Sequence, residues 1–324
     1  MLHFPVLLEE SVDFLLHKHN GHFIDCTYGR GGHTSEILKR IKSNSTLTSF
    51  DKDPDAYAHA KNIKNKNFHI IQDSFGNLEK YFSPNSIDGI LFDLGTCSTH
   101  FDNSIRGFSF MREGPLDMRF DNKRGEPLSK WINYADENEI KEILYKYGDE
   151  KHAKIISRAI MDYRKEHQFK TTTELANLIV EIYPDKNIKI HPATKSFQAF
   201  RIYINDELNE LYNALSQTEN ILKKDGIIVV ISFHSLEDGI VKNFFKPQVK
   251  NYPKDIPLNI SELKSFECIA KKIRPVSYTH LRAHETLMNL VCRLLLEKKK
   301  IFERPWAERY FLQPHDLANP PKKF

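Results

Sequence analysis

The sequence is short of the features that mark membrane proteins and disulfide-stabilised proteins. It contains no run of eighteen apolar residues, and no basic N-terminal segment precedes an apolar stretch, so neither a membrane span nor a signal peptide is predicted. Its four cysteines lie far apart, at Cys26, Cys97, Cys268 and Cys292. No two of them have the spacing of a zinc site or a disulfide framework. We therefore expect a cytoplasmic protein with reduced thiols.

The net charge of residues 1–274 is also zero. The formal charge of the 324 residues is +4, but residues 275–324 hold nine Lys or Arg against five Asp or Glu. Residues 1–274 hold 38 of each sign. Because phosphate neutralisation depends on where the cations lie, any affinity for nucleic acid must come from a local patch.

From residue 22 onward, apolar strands alternate with helical segments, which predicts an α/β fold on a mostly parallel sheet. Short helices fit between the strands, one of them after Asp53 as its N-cap. A strand at about residues 266–273 is predicted to close the core. The five main strands are predicted at residues 22–27, 47–51, 68–73, 87–94 and 227–233.

More than a hundred residues separate the fourth and fifth of these strands, too many for a simple crossover. Most of them have helical periodicity, which predicts an inserted helical domain. Asp136 before Glu139, and Thr171 before Glu174, have the spacing of helix N-terminal caps. Residues 106–124, rich in charge, are predicted to form a long loop.

A glycine-rich loop follows the first strand. Asp25 ends the strand, and Gly29, Gly31 and Gly32 precede a helix, so bare backbone lies where a ligand approaches closely. Twenty residues past Gly31, Asp51 is placed to accept hydrogen bonds from the ribose hydroxyls of an adenosine. Thr34 stands where a dinucleotide fingerprint has its third glycine, which disfavours NAD. Taken alone, this pattern leaves a dehydrogenase and a methyltransferase open.

Five longer motifs occur along the chain: HFPVLLEE (3–10), DCTYGRGGHT (25–34), RGFSFMREGPLDMR (106–119), HPATKSFQAFRIYINDEL (191–208) and VISFHSLED (230–238). They resemble, in order, those of the bacterial 16S rRNA (cytosine-N4)-methyltransferase family. The resemblance covers residues 1–274 and implies a class I, Rossmann-like methyltransferase sheet, in parts 1–105 and 210–274, with an inserted loop and helical domain at 106–209.

The resemblance implies S-adenosylmethionine as cofactor and, as substrate, the N4 amine of a cytosine in the decoding region of 16S rRNA in the small ribosomal subunit. It leaves open whether the chain forms a homodimer. The family usually has glutamine at His100 and serine at Cys97, so the chain departs from the family there. The implied cofactor contacts are Gly31, Gly32, His33, Asp51, Phe75, Asp93 and His100.

Methyl transfer from a sulfonium is an in-line displacement, so positioning and electrostatics should supply most of the catalysis, with no metal. The exocyclic amine of cytosine gains nucleophilic character when acceptors hold its protons. Asp93 is the first candidate acceptor, because it ends a central strand where open α/β sheets place ligands. His234 is a candidate general base, with a structural role beside Glu237 as the alternative. Asn205 is a third catalytic candidate.

Basic residues give the long loop an edge suited to RNA backbone contacts, although a solvated charged loop would have the same composition. The candidate substrate-binding residues are Arg106, Arg112, Arg119, Arg201 and Ser232.

Two other functions remain open. An amino-methyltransferase acting on DNA or a free nucleotide commonly has an Asp/Asn-Pro-Pro-aromatic run where this chain reads Asp93-Leu94-Gly95. An RNA-binding or ribosome-assembly factor without catalysis would not need the intact glycine loop and Asp51.

Residues 275–300 resemble a translated sequencing-library adapter, which predicts a native end near Arg274 and a non-native tail over 275–324. If the native family chain adds a final antiparallel strand after Arg274, the apolar run within residues 289–298 is predicted to take that place in the sheet.

Overall fold

A computed structural model describes residues 5–17, 20–184, 190–246, 266–270 and 291–298. Its centre is a seven-stranded sheet built from β1 (His22–Asp25), β2 (Thr46–Phe50), β3 (Phe68–Ile71), β4 (Ile87–Asp93), β5 (Leu222–Ser232), β6 (Phe266–Ala270) and β7 (Val291–Lys298). The order across the sheet is β3-β2-β1-β4-β5-β7-β6, with β1 to β5 parallel and β7 antiparallel to both of its neighbours.

All five main strands predicted from the sequence are present. The interior ones are β1, β2, β4 and β5, and apolar side chains such as Leu91 and Phe92 of β4 are buried on both faces of the sheet. β3 forms one edge of the sheet. One face packs against α1 (Leu8–Leu15), α2 (Gly32–Arg40) and α3 (Pro54–Ala60). The other face packs against a short 3-10 helix (Phe75–Lys80) and two later helices, α10 (Glu207–Ile221) and α11 (Ser235–Phe244).

The helical insertion forms its own hydrophobic cluster. Two of its helices begin as the capping patterns predict: the Asp136 carboxylate accepts from the Glu139 amide (2.8 Å), and the Thr171 hydroxyl accepts from the Glu174 amide (3.3 Å). No helix of the described residues is long and apolar enough to cross a membrane. The helices between β4 and β5, before α10, are α4 (Ser98–Asp102), α5 (Leu128–Ile132), α6 (Glu137–Gly148), α7 (Ala153–Tyr163), α8 (Thr172–Ile182) and α9 (Ala193–Asn205).

The sequence also predicts the two antiparallel-paired strands β6 and β7. The strand predicted near residues 266–273 is β6, and the apolar run predicted to pair with the sheet is β7, which lies between β5 and β6. In its register, Leu296 lies opposite Ile228 on one side and Cys268 on the other. The rest of the predicted tail, residues 275–290 and 299–324, lies outside the described residues.

Candidate active site

A cavity of about 420 Å³ opens at the carboxyl edge of the parallel strands, a size that suits a small-molecule cofactor. The loops that follow β1, β2 and β4 form one wall, which we call the sheet wall. The long loop after α4, together with α9, forms the opposite wall, which we call the insert wall. Parallel strands bring their carboxyl ends to one edge, so the predicted site residues on separate loops meet here.

The glycine loop reaches the cavity through only part of its length. Gly29, Gly32 and His33 line it, but Gly31 does not. Gly31 has a left-handed backbone (φ 75°), and a Cβ there would lie 2.7 Å from the Tyr28 hydroxyl oxygen. Gly31 serves the turn into α2 and its close approach to Tyr28, and its predicted cofactor contact stays a prediction.

Thr34, at the position of the missing third glycine, stabilises the loop through buried hydrogen bonds. Its hydroxyl donates to a carboxylate oxygen of Asp25 (2.6 Å) and lies 2.7 Å from the Ser49 hydroxyl oxygen. Burial raises the pKa of Asp25. These three buried polar groups satisfy one another, so the residue that weakened the dinucleotide prediction has a structural role.

Asp51 follows β2 and lines the cavity. Its Oδ2 accepts from the Gly29 amide (2.8 Å) and its Oδ1 from the Asp53 amide (2.9 Å). Burial raises the pKa of Asp51 to about 6. Because each carboxylate oxygen has two lone pairs, both oxygens retain capacity for a hydroxyl donor. The backbone amides thus hold a rigid pair of acceptors at the cavity surface.

Asp93 ends β4 on the same wall, and its backbone amide donates to the Thr27 hydroxyl (2.8 Å). Its Oδ2 lies 3.4 Å from Nδ1 of His33. Burial disfavours the charged imidazole, but the hydrogen bond and charge of Asp93 outweigh burial and raise the pKa of His33. Asp93 Oδ1 is buried and has no hydrogen-bond partner within the described residues. An acceptor atom is therefore available beside the cavity.

His100 and Arg106 converge on Asp53. His100 Nε2 lies 2.8 Å from Asp53 Oδ2, and the Arg106 guanidinium lies 2.9 Å from the same oxygen. Burial opposes ionisation of both Asp53 and His100. Their mutual hydrogen bond outweighs it, so the pKa of Asp53 falls to about 2 and that of His100 rises to about 9. The N-cap of α3 is thus also the centre of a buried ionic cluster.

Arg106 was predicted to bind RNA, and the structure corrects this. Its guanidinium is buried on Asp53 and also donates to the carbonyl oxygens of Arg119 (3.1 Å) and Phe120 (2.7 Å). Arg119 is likewise engaged, with Asp117 (2.7 Å) and the carbonyl of Gly125 (2.9 Å). Both arginines brace the long loop, because buried guanidinium groups need such partners.

Two further candidates lie away from the cavity lining. The Asn205 carboxamide accepts from the Phe120 amide (2.7 Å) and donates to the Met118 carbonyl (2.8 Å), so it fastens α9 to the long loop and is not placed for catalysis. Ser232 is buried within β5, where its backbone pairs with Val291, and it does not face the cavity as predicted.

Aromatic rings on the insert wall are the main feature that the sequence reasoning missed. Phe108 stacks on His100 with ring centroids 4.9 Å apart. Phe110 stacks on His191 (4.5 Å) and meets Phe197 edge-on (4.8 Å). The alternation of aromatic residues in RGFSF, residues 106–110, was the available signal.

Arg112 and Arg201 line the cavity on this side. Arg112 is exposed and donates only a long hydrogen bond, to the Asp102 carbonyl (3.3 Å). Arg201 forms a two-pronged ion pair with Glu207 (2.8 and 2.9 Å). Arg112 is therefore the better placed of the two for a phosphate contact.

His234 caps α11. Its Nδ1 accepts from the Glu237 amide (3.4 Å), while Glu237 Oε2 accepts from the Phe233 amide (2.8 Å). Nε2 lies 3.0 Å from Glu237 Oε1. With Glu207, these two side chains place ligand atoms within 4.8 Å of one another, a geometry that a cation could use. Arg201 already supplies positive charge to Glu207, so we assign no metal here.

The family model of the MraW methylase family matches residues 1–287. The chain belongs to this family. Membership confirms the predicted class I methyltransferase fold and the predicted S-adenosylmethionine-dependent methyltransferase activity. Two relatives carry the name ribosomal RNA small subunit methyltransferase H. The protein of Marinomonas sp. (strain MWYL1) is 41% identical over 282 residues, 84% of this chain and 90% of its own length. That of Alteromonas mediterranea is 41% identical over 283 residues, with the same shares.

Proposed function

We propose that this methylase transfers a methyl group from S-adenosylmethionine to the N4 amine of a cytosine in 16S rRNA of the small ribosomal subunit, in the cytoplasm. The observation that carries the proposal is the cavity itself, which is lined by two half-buried carboxylates on the sheet wall and by aromatic rings on the insert wall. The names of the two relatives, which specify small-subunit ribosomal RNA, support the choice of substrate.

The sheet wall fits the cofactor. Asp51 presents acceptors suited to the two ribose hydroxyls, and Phe75, edge-on to Phe92 (5.9 Å), lines the cavity as an apolar surface for the adenine. The buried, unpartnered Oδ1 of Asp93 suits a donor such as the α-amino group or the reacting amine. When bound, S-adenosylmethionine supplies an electrophilic methyl group on a sulfonium.

Asp93 acts on the nucleophile in this proposal. Its Oδ1 accepts a hydrogen bond from the N4 amine and takes that proton as the new N–C bond forms. Loss of the proton frees the nitrogen lone pair from conjugation with the ring. His33 Nδ1 lies 3.4 Å from the other oxygen and orients the carboxylate. An acceptor fixed in advance in a water-poor cavity stabilises the developing charge at no cost of reorganisation.

The insert wall fits the target base. Sequence-specific recognition of RNA commonly splays a base out of a loop and stacks it on aromatic side chains. Phe110 is half-buried, lines the cavity and has its neighbours His191 and Phe197 to hold its ring in place. We place the cytosine against Phe110, with its amine directed across the cavity toward Asp93.

The test is methylation by the purified protein of small subunits and of naked 16S rRNA, each from cells that lack this activity. Digestion and mass spectrometry should detect N4-methylcytidine at one position of the decoding region, dependent on S-adenosylmethionine. RNA binding without methyl transfer would instead favour the assembly-factor alternative, and methylation of DNA or free nucleotides alone would refute the substrate.

A further inference from the structure

Two residues that depart from the family pattern, Cys97 and His100, lie against each other. Cys97 Sγ is 3.4 Å from His100 Nδ1, and His100 Nε2 is 2.8 Å from Asp53 Oδ2. Arg106 fixes the Asp53 carboxylate in turn. Thiol, imidazole and carboxylate thus stand in series, the arrangement by which proteins convert a cysteine into a nucleophile.

This thiol also has access to a cavity. Cys97 is half-buried and lines the cavity, and its Cβ is 3.7 Å from the place a Cβ would take on Gly29. Cys26 also borders the cavity, but it is only 1% exposed, and burial raises the pKa of its thiol well above the usual range. Of the described cysteines, Cys97 combines a neighbouring imidazole with an open approach.

The surrounding charges favour the thiolate. Burial raises the pKa of Cys97, but its hydrogen bond with His100 and the charge of that imidazole outweigh burial and lower it. The hydrogen bond to the Thr99 hydroxyl, 2.9 Å from the sulfur, also lowers the pKa of Cys97, whereas the negative charge of Asp51 raises it. In the neutral pair, the single lone pair of Nδ1 lies within reach of both the thiol (3.4 Å) and the Cys97 amide (3.3 Å). Proton transfer makes Nδ1 the donor to sulfur.

We propose that Cys97 is a reactive thiol that small soft electrophiles, with hydroperoxides as the physiological class, modify from within the cavity, and that its modification and cofactor binding exclude each other. The second half rests on the proposed function. In the reaction, the thiol proton lies on His100 Nδ1 and the thiolate sulfur attacks the terminal peroxide oxygen. The S–O bond forms, the O–O bond breaks, and the leaving hydroxide or alkoxide takes the imidazolium proton. The products are a sulfenic acid and water or, from an organic hydroperoxide, an alcohol.

The first experiment measures alkylation of each cysteine by iodoacetamide at pH 7, using peptide mass spectrometry on the full-length protein. In His100→Gln, which restores the family's residue, we expect Cys97 to react about tenfold more slowly, because the thiol loses the imidazole that favours its thiolate. The rate at Cys268, which is exposed, should stay the same and serves as the internal control. Circular dichroism verifies the fold of the variant.

If Cys97 is alkylated at the same rate in the wild type and in His100→Gln, the proposal of a reactive thiol is wrong. It is also wrong if Cys97 of the wild type reacts as slowly as Cys26. Peroxide with a sulfenic-acid trap, in place of iodoacetamide, should label Cys97 and leave the serine of Cys97→Ser unlabelled. Absence of trapped Cys97 would remove hydroperoxides as its electrophile.

The second experiment tests exclusion. Saturating S-adenosylmethionine should slow the alkylation of Cys97 at least tenfold, and peroxide should abolish cofactor binding by calorimetry in the wild type but not in Cys97→Ser. If the cofactor binds and Cys97 is still alkylated at the same rate, cofactor binding and modification of Cys97 do not exclude each other. If calorimetry detects no cofactor binding to the untreated protein, the proposed function fails, while the labelling rates still decide the reactivity of the thiol.

Discussion

The two walls of the cavity are built in different ways. On the sheet wall, backbone amides of Gly29 and Asp53, within four residues of the ends of β1 and β2, hold the carboxylate of Asp51. On the insert wall, a side chain at the end of α9 holds the long loop, through Asn205 and the amide of Phe120, 85 residues earlier. The first wall follows from strand register, whereas the second depends on contacts between distant parts of the sequence.

This difference separates two kinds of recognition. The sheet wall presents fixed acceptors to a small polar molecule, and the insert wall presents rings and one exposed arginine to a larger partner. Changes on the sheet wall should therefore affect chemistry and cofactor binding. Changes on the insert wall should affect RNA binding and leave the cofactor alone.

Asp93→Asn should give the largest effect. The amide retains the shape but loses the anionic acceptor, so we expect kcat to fall by about 10³-fold, within the usual range for a proton-accepting group. Cofactor affinity and melting temperature should change little. Asp162→Asn, at an exposed carboxylate on α7, is the matched control. Single-turnover methylation measures the effect, and a variant that retains a tenth of wild-type turnover would remove Asp93 from the reaction.

Asp51→Asn should weaken cofactor binding about thirtyfold, as expected for hydrogen bonds to a charged group, with turnover recovered at saturating cofactor. The wild type should also lose affinity as pH falls below about 6, the pKa to which burial raises this carboxyl. The sign follows because protonation removes the charged acceptor that the ribose hydroxyls require. Below that pH the loss approaches tenfold per unit.

Calorimetry from pH 5 to pH 8 measures both effects. The pH dependence should be flat near 6 in Asp51→Asn, which separates Asp51 from the other ionisable groups of the sheet wall. An unchanged profile in this variant would show that another group carries the pH dependence.

Phe110→Ala should raise the KM for RNA about tenfold, since stacking of one base on an aromatic ring contributes about 1–3 kcal/mol. Cofactor affinity should not move. Tyr145→Ala removes an aromatic side chain that is exposed on α6 and serves as the control. A parallel loss of cofactor affinity in Phe110→Ala would show that the two walls are not separable.

The sequence allowed the sheet wall to be predicted far better than the insert wall. Strand periodicity and the glycine loop are local patterns, and parallel pairing brings Asp51 and Asp93 to one edge whatever the details of the loops. A motif match, however, does not tell a binding arginine from a bracing one. Arg106 belongs to a family motif, but its partner Asp53 lies 53 residues earlier. From the sequence, Asp53 is predicted only to cap a helix.

Substitution of Arg112, the exposed cation of the insert wall, should have the smallest effect. Arg112→Ala removes one candidate phosphate contact, so RNA affinity should fall about fivefold and the slope of log affinity against log salt should decrease in magnitude by about 1. Arg158→Ala, at an exposed arginine on α7 away from the cavity lining, is the matched control for net charge. Filter binding at several salt concentrations measures both. If both variants lose the same RNA affinity, binding depends on the net charge of the whole insertion and not on Arg112. The insert wall would then bind RNA through its aromatic rings alone.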